Sequence, residues 1–228
     1  GRRRLSGQLK KLSMRAMLLT RHGEKDRIGC IQTDTVRCCR SLKSQMREET
    51  ERNMREDLTI RLEEFKKRCS VDAAVQGRVA RPPVEFIGEE VLDLAVSALL
   101  QGENILLSGG KATGKNILAD NLAWLFGRPV YNVSFHVNTD SSTLIGTDTF
   151  VDGEVRLRNG PVAQAAQYGG FCILDEINMA KNDAVAVLHA VLDYRRLIDV
   201  PGYDCIPMHP ATRFIATMNY GYAGTREL

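Results

Sequence analysis

The sequence predicts an α/β fold: a three-layer αβα sandwich around a mostly parallel sheet, with two β-hairpin insertions. Three runs of residues predict it. Asn104-Ile105-Leu106-Leu107-Ser108 is a short apolar strand that enters the loop Gly109-Gly110-Lys111-Ala112-Thr113-Gly114-Lys115, and a helical pattern follows. Phe171-Cys172-Ile173-Leu174 is a second apolar run, opened by Gly169-Gly170 and closed by Asp175-Glu176. Arg213-Phe214-Ile215-Ala216-Thr217-Met218 is a third, closed by Asn219. Continuous apolar runs bounded by turn residues suit strands buried on both faces of a parallel sheet. Open sheets of this kind take their ligands beyond the carboxyl ends of the strands.

The first element is a phosphate site in outline. Ile117 to Phe126 reads as a helix with Leu118, Leu122, Leu125 and Phe126 on one face, and Gly127 is placed to end it. The glycines let successive backbone N–H groups converge on an anion, the helix N-terminus adds partial positive charge, and Lys115 adds a full one. Gly109, Gly110, Lys111, Ala112, Thr113, Gly114, Lys115 and Asn116 are therefore candidate nucleotide-binding residues. The pattern G-x-x-x-x-G-K-[ST] places a hydroxyl on Mg²⁺ where this chain has Asn116. An amide oxygen is a hard, neutral ligand, but it sits one atom farther from the backbone. The expectation is weakened or rearranged metal binding with the site retained.

The second element supplies acids. Asp175 lies 60 residues beyond Lys115 and suits a Mg²⁺ partner, directly or through water. Glu176 suits polarisation of an attacking water. The third element supplies Asn219, expected beside Asp175, where it would hold that water near a γ-phosphate. Catalytic candidates are thus Glu176 and Asn219, and the candidate ligands of a Mg²⁺ cofactor are Asn116 and Asp175.

In this order the three elements resemble an AAA+ ATPase: Gly109 to Lys115 is similar to Walker A, Asp175-Glu176 to Walker B and Asn219 to sensor 1. Leu144-Ile145-Gly146-Thr147, Asn159-Gly160-Pro161-Val162, Leu174-Asp175-Glu176-Ile177-Asn178 and Ala216-Thr217-Met218-Asn219 resemble the MoxR-like, dynein-related branch, which includes the NorQ/CbbQ-type activators. The resemblance implies ATP hydrolysis that remodels or activates a partner protein, a hexameric ring, and a partner with a von Willebrand A-type domain. It also implies that Ile87-Gly88 pack on the adenine. Both hairpin insertions of the branch are legible. Thr149 to Leu157 alternates around Asp152-Gly153, a two-residue hairpin signal. Arg196 to Val200 and Cys205 to Met208 flank Pro201-Gly202, and Pro207 argues for an edge strand. Two positions depart from the branch: Ala112 stands for its usual Gly and Asn116 for its Thr or Ser. The branch continues past sensor 1 with an arginine finger and a helical lid. A chain ending at Leu228 is therefore expected to be an ATPase core truncated after sensor 1, near inactive by itself.

Charge divides the chain. Residues 1–53 hold 14 Lys+Arg and 6 Asp+Glu, a net +8, against 17 and 22, a net −5, in residues 54–228. The basic quarter reads as a disordered tail, since low apolar content does not offset ordering entropy. A basic arm for nucleic acid or an acidic partner is the alternative, and nucleic acid is the weaker reading because it rests on this tail alone. Met54 opens an amphipathic segment with Leu58, Leu62, Phe65 and Cys69 on one face and Glu63/Lys67 and Glu64/Arg68 at i,i+4. It is a candidate natural start, with residues 1–53 not native. The domain reading is a tail over 1–53, a helix and linker over 54–86, and the nucleotide-binding core over 87–228.

No run approaches the roughly 18–20 apolar residues of a membrane span. The six cysteines form no C-x-x-C pair and fit free thiols in a reducing cytoplasm. Two other readings stay open: a GTPase of the restriction-motor type, and a nucleotide-sensing module that binds without turnover. Asn116 favours the second, and Glu176 and Asn219 favour catalysis.

Overall fold

The computed structural model describes residues 14–19 (as backbone), 55–137, 139–193, 195–200 and 202–219. Elements are numbered in chain order. Strand β1 (Met14–Leu19) is followed by helix α1 over residues 55–68, a short 3₁₀ turn at Ala73–Arg78 and helix α2 (Glu89–Leu100). Next come β2 (Asn104–Gly109), α3 (Lys115–Leu125) and β3 (Val130–Ser134). Helix α4 (Ser141–Ile145), hairpin β4 (Gly146–Val151) and β5 (Glu154–Asn159), and helix α5 (Pro161–Tyr168) follow. The chain then forms β6 (Phe171–Asp175), α6 (Asn182–Leu192), hairpin β7 (Leu197–Ile198) and β8 (Ile206–Pro207), and β9 (Arg213–Asn219).

The central sheet runs β1-β2-β9-β6-β3, with β2, β9, β6 and β3 parallel and β1 antiparallel on β2. Alternation along the strands feeds two cores. Phe171 and Ile173 of β6, with Ile215 of β9, enter a core shared with α1, α2 and α3. Cys172 and Leu174, with Phe214 and Ala216, enter a second core on the opposite face with α4, α5 and α6. The αβα sandwich follows from that alternation, and four buried residues in a row on β6 are its signature.

Both hairpins form. Asp152 and Gly153 carry φ of 52° and 84°, the left-handed pair that a two-residue turn between twisted strands requires. The first hairpin interrupts what would be one helix: α4 ends into β4, β5 returns, and the Gly160 N–H donates to the Ile145 carbonyl before α5 begins. In the second, among the described residues, β8 has only β7 as a neighbour, and Pro207 sits on it.

Two expectations change. The segment read as a disordered basic tail, residues 1–53, contains β1, whose register runs from Met14 opposite Gly109 to Leu19 opposite Asn104. A six-residue run with five apolar residues carries no sustained period, yet it satisfies the β2 edge, which would otherwise leave a row of backbone groups unpaired. Residues 1–13 and 20–54, Met54 included, lie outside the described residues. Helix α1 joins the main core: Leu58, Leu62, Phe65 and Cys69 are buried there with β2 and α3. On its outer face Glu63 pairs with Lys66 at 2.8 Å, one residue short of the i,i+4 partner expected from spacing.

Arg128 ties α1 to the rest. Only 1% exposed, it donates to the carbonyls of Cys69 (2.6 Å), Gly169 (2.7 Å) and Tyr168 (3.2 Å). Gly169 has φ +66°, and a side chain there would collide with His209 and Arg128. His209 accepts the Ala211 N–H on Nδ1 at 3.0 Å. Burial, then the charges of Arg128 and Arg196, hold its pKa below the ordinary 6.5. No helix among the described residues is long and apolar enough to cross a membrane.

Two predictions follow from this junction. Arg128→Ala orphans several buried carbonyls and opens a cavity, which should cost about 3 kcal/mol and lower Tm by about 6–12 °C in thermal unfolding. A loss below about 1 kcal/mol would show that the junction is not a support. Because the folded pKa of His209 lies below its unfolded value, the unfolded state binds the extra proton. Its contribution is therefore complete above the ordinary 6.5 and is lost as pH falls below it. Urea titrations from pH 8 to pH 5 should show a steeper fall for the native protein than for His209→Asn.

Candidate nucleotide site

In-register pairing builds the site. Gly109 of β2 lies opposite Asn219 of β9, and Leu174 of β6 lies opposite Ala216. The carboxyl ends of three adjacent strands therefore deliver the glycine loop, Asn219 and Asp175-Glu176 to one edge of the sheet. They surround a cavity of about 380 Å³ lined by residues 111–117 with Asp175, Glu176 and Asn219. A larger cavity, of about 640 Å³, lies between α4, α6 and the two hairpins. The smaller one is the candidate site because the loop, the lysine and the acids converge there.

The loop folds around Lys115. Its ammonium, 6% exposed, donates to the Gly110 carbonyl at 2.7 Å and the Gly109 carbonyl at 3.2 Å, and lies 3.5 Å from the Thr113 hydroxyl. Burial lowers its pKa, and the charges of Asp175 and Glu176 oppose that shift. The lysine is thus held by weak neutral acceptors that an anionic phosphate would outcompete. Ala112, at the position where the resemblance has Gly, adopts φ +59°, a left-handed conformation that costs an L-residue roughly 1–2 kcal/mol.

The acids are held by β9. Asp175 accepts the Thr217 hydroxyl on Oδ1 and the Asn116 amide on Oδ2 at 3.1 Å. Glu176 has φ +54°, and its N–H donates to the same Thr217 oxygen at 3.2 Å. Its carboxylate accepts the Asn219 amide at 3.1 Å. Asn178, also buried, donates to the Asn219 carbonyl at 3.4 Å. Asn219 was expected beside Asp175; it lies on Glu176 instead, and Thr217 takes the place beside Asp175. Thr217 went unassigned in the sequence. Its signal was there: two residues before Asn219 on a parallel strand is the same face, level with the end of β6.

The donor set bears on Mg²⁺. Asp175 offers a carboxylate facing the loop, which fits a hard cation. Asn116, read as a second ligand, is turned with its amide nitrogen toward Asp175, an orientation that does not fit a metal between them. Gly88 caps α2, and Ile87 stands 97% exposed outside the lined cavity. The ring near the loop is Phe86: a side chain at Gly114 would meet it at 3.7 Å. Asn121 of α3 fixes that segment, donating to the Val84 carbonyl at 2.9 Å and accepting the Phe86 N–H at 3.3 Å.

Thr217→Val should leave an Asp175 oxygen and the Glu176 N–H without their partner and cost about 1–3 kcal/mol, with Thr217→Ser recovering most of it in chemical denaturation. Equal stability of the valine form and the native protein would remove Thr217 from this role.

Comparison with known proteins places these features in a family. The chain is 33% identical over 178 residues to the uncharacterized protein YojN of Bacillus subtilis (strain 168), covering 76% of this chain and 58% of that protein. It is 39% identical over 129 residues to the uncharacterized protein SAB1265c of Staphylococcus aureus (strain bovine RF122 / ET3-1), covering 54% and 49%. The chain thus spans about half to three-fifths of their length. A crystal structure described as that of "a putative ATPase" from Cytophaga hutchinsonii shares the fold with a TM-score of 0.50 at 18% identity, covering 83% of this chain and 51% of that one. Residues 104–228, from the strand before the glycine loop onward, match the AAA domain (dynein-related subfamily), and the chain belongs to that family.

Proposed function

We propose that the chain is the nucleotide-binding core of a MoxR-like ATPase that uses ATP hydrolysis to remodel or activate a partner protein. The observation that carries this reading is the convergence of Lys115, Glu176 and Asn219 on one cavity at the carboxyl edge of the sheet. On binding, the Lys115 ammonium exchanges the Gly109 and Gly110 carbonyls for β- and γ-phosphate oxygens, and the loop N–H groups and the α3 N-terminus take the remaining charge. Glu176, fixed by the Asn219 amide, orients a water in line with the γ-phosphorus. The water oxygen bonds to phosphorus as the bond to the β-phosphate oxygen breaks, its proton passes toward Glu176, and ADP and phosphate leave. Asp175 would hold Mg²⁺, which when bound neutralises charge on the β- and γ-oxygens.

The partner-directed half of the reading is supported by the first hairpin. Phe150, Val151 and Val155 are exposed apolar residues flanking its turn, on a ribbon that among the described residues pairs only with itself. A hexameric ring, a von Willebrand A-type partner and a cytoplasmic location belong to the same proposal and rest on the family resemblance. Binding without turnover is the second reading, favoured by one observation: the Asn116 amide already occupies Asp175.

Lys115→Ala should weaken ATP binding about tenfold or more in titration calorimetry, from loss of a charge-assisted contact. Equal affinity of the two forms would remove the phosphate-loop assignment. In the full-length protein Glu176→Gln should retain ATP and lower kcat by about 10²–10⁴ in a steady-state phosphate-release assay. Unchanged turnover would take the water-orienting role from Glu176.

A further inference from the structure

We infer that Asn116 is a hydrogen-bond lock on Asp175, not a metal ligand, so that the site takes up ATP with little help from Mg²⁺. The inference rests on the nucleotide-site reading above and concerns how that site is regulated. Both oxygens of the Asp175 carboxylate accept from side chains of the chain itself: Thr217 Oγ1 on Oδ1, and Asn116 Nδ2 at 3.1 Å on Oδ2.

The orientation of the amide follows from chemistry. An ionised carboxylate only accepts, so the group that Asn116 presents to it is the NH₂, and its oxygen points elsewhere. A metal shared by the two residues needs that oxygen forward. A Thr or Ser hydroxyl at this position escapes the conflict, because one oxygen can donate to the carboxylate and still offer a lone pair to a cation. The amide nitrogen has no lone pair to offer. For Asn116 to become a ligand, its bond to Asp175 must break and the amide must turn over. Asp175 meanwhile loses one of its two donors.

The rest of the site is built to hold an anion without the ion. Lys115 already sits among loop carbonyls with its charge in place, and the α3 N-terminus starts at that residue. Breaking the Asn116–Asp175 bond opposes metal entry by a factor of about ten, the scale of one hydrogen bond to a charged group. Nucleotide therefore enters first, and the metal-bound state requires the lock to open.

Titration calorimetry of the full chain with ATP, in Mg²⁺ buffer and in EDTA, tests this. The quantity read is the ratio of the two dissociation constants. The native protein should give a ratio within about threefold, and Asn116→Thr should raise it to about tenfold or more, with Asn116→Ser as a second variant of the same design. A native ratio of about tenfold or more, or a ratio that neither hydroxyl variant changes, overturns the lock while leaving the nucleotide site standing. Absence of ATP binding by the native protein in both buffers overturns the site reading, and the lock with it.

Discussion

Parallel, in-register pairing of β2, β9 and β6 is the constraint on which the rest of the structure depends. Parallel strands place all their carboxyl ends at one edge, and no other arrangement of these segments brings residues 109, 175 and 219 together. Both faces of the sheet must then be covered, which is why β6 is apolar at four successive positions and why helices pack on each side. In β6 and β9 the polar residues stand at the strand ends. Thr217 is the exception that proves useful. It sits inside β9 at 1% exposure, and its hydroxyl donates to the Asp175 carboxylate while accepting the Glu176 N–H.

Much of this was legible in the sequence because the signals were local. The glycine loop between an apolar strand and an amphipathic helix, the run ending in Asp175-Glu176, and the Asp152-Gly153 turn each state their geometry within a few residues. What escaped was set by contacts between distant segments. Strand β1 exists because β2 has an open edge, which nothing between residues 14 and 19 announces. Arg128 and Arg213 carry no local signal of burial, yet both are buried and bound to main-chain carbonyls, Arg213 to those of Leu99, Pro210 and Thr212. The partner of Asn219 was misplaced by one residue, from Asp175 to Glu176, because Glu176 turns through a left-handed conformation at the strand end that the sequence does not signal.

The two departures from the family pattern have different consequences. Ala112 keeps the loop conformation and bears its strain, so the cradle survives the substitution. Asn116 changes what faces Asp175: a group that donates only replaces a hydroxyl that can donate and ligate at once. The first is a cost in stability, and the second alters how the site handles charge. The hairpin β4–β5, with apolar residues flanking its turn, stands apart from both, projecting from between α4 and α5 on the face opposite α3.

The central claim is that the cavity at the carboxyl edge receives the phosphates of ATP. A crystal structure of the chain with a non-hydrolysable ATP analogue tests it most directly. The account predicts the β- and γ-phosphates on the loop of residues 109–116, with Lys115 Nζ moved off the Gly109 and Gly110 carbonyls onto phosphate oxygen, and the γ-phosphate facing Glu176 and Asn219. An analogue bound in the cavity between the hairpins, with Lys115 still on its loop carbonyls, would contradict it.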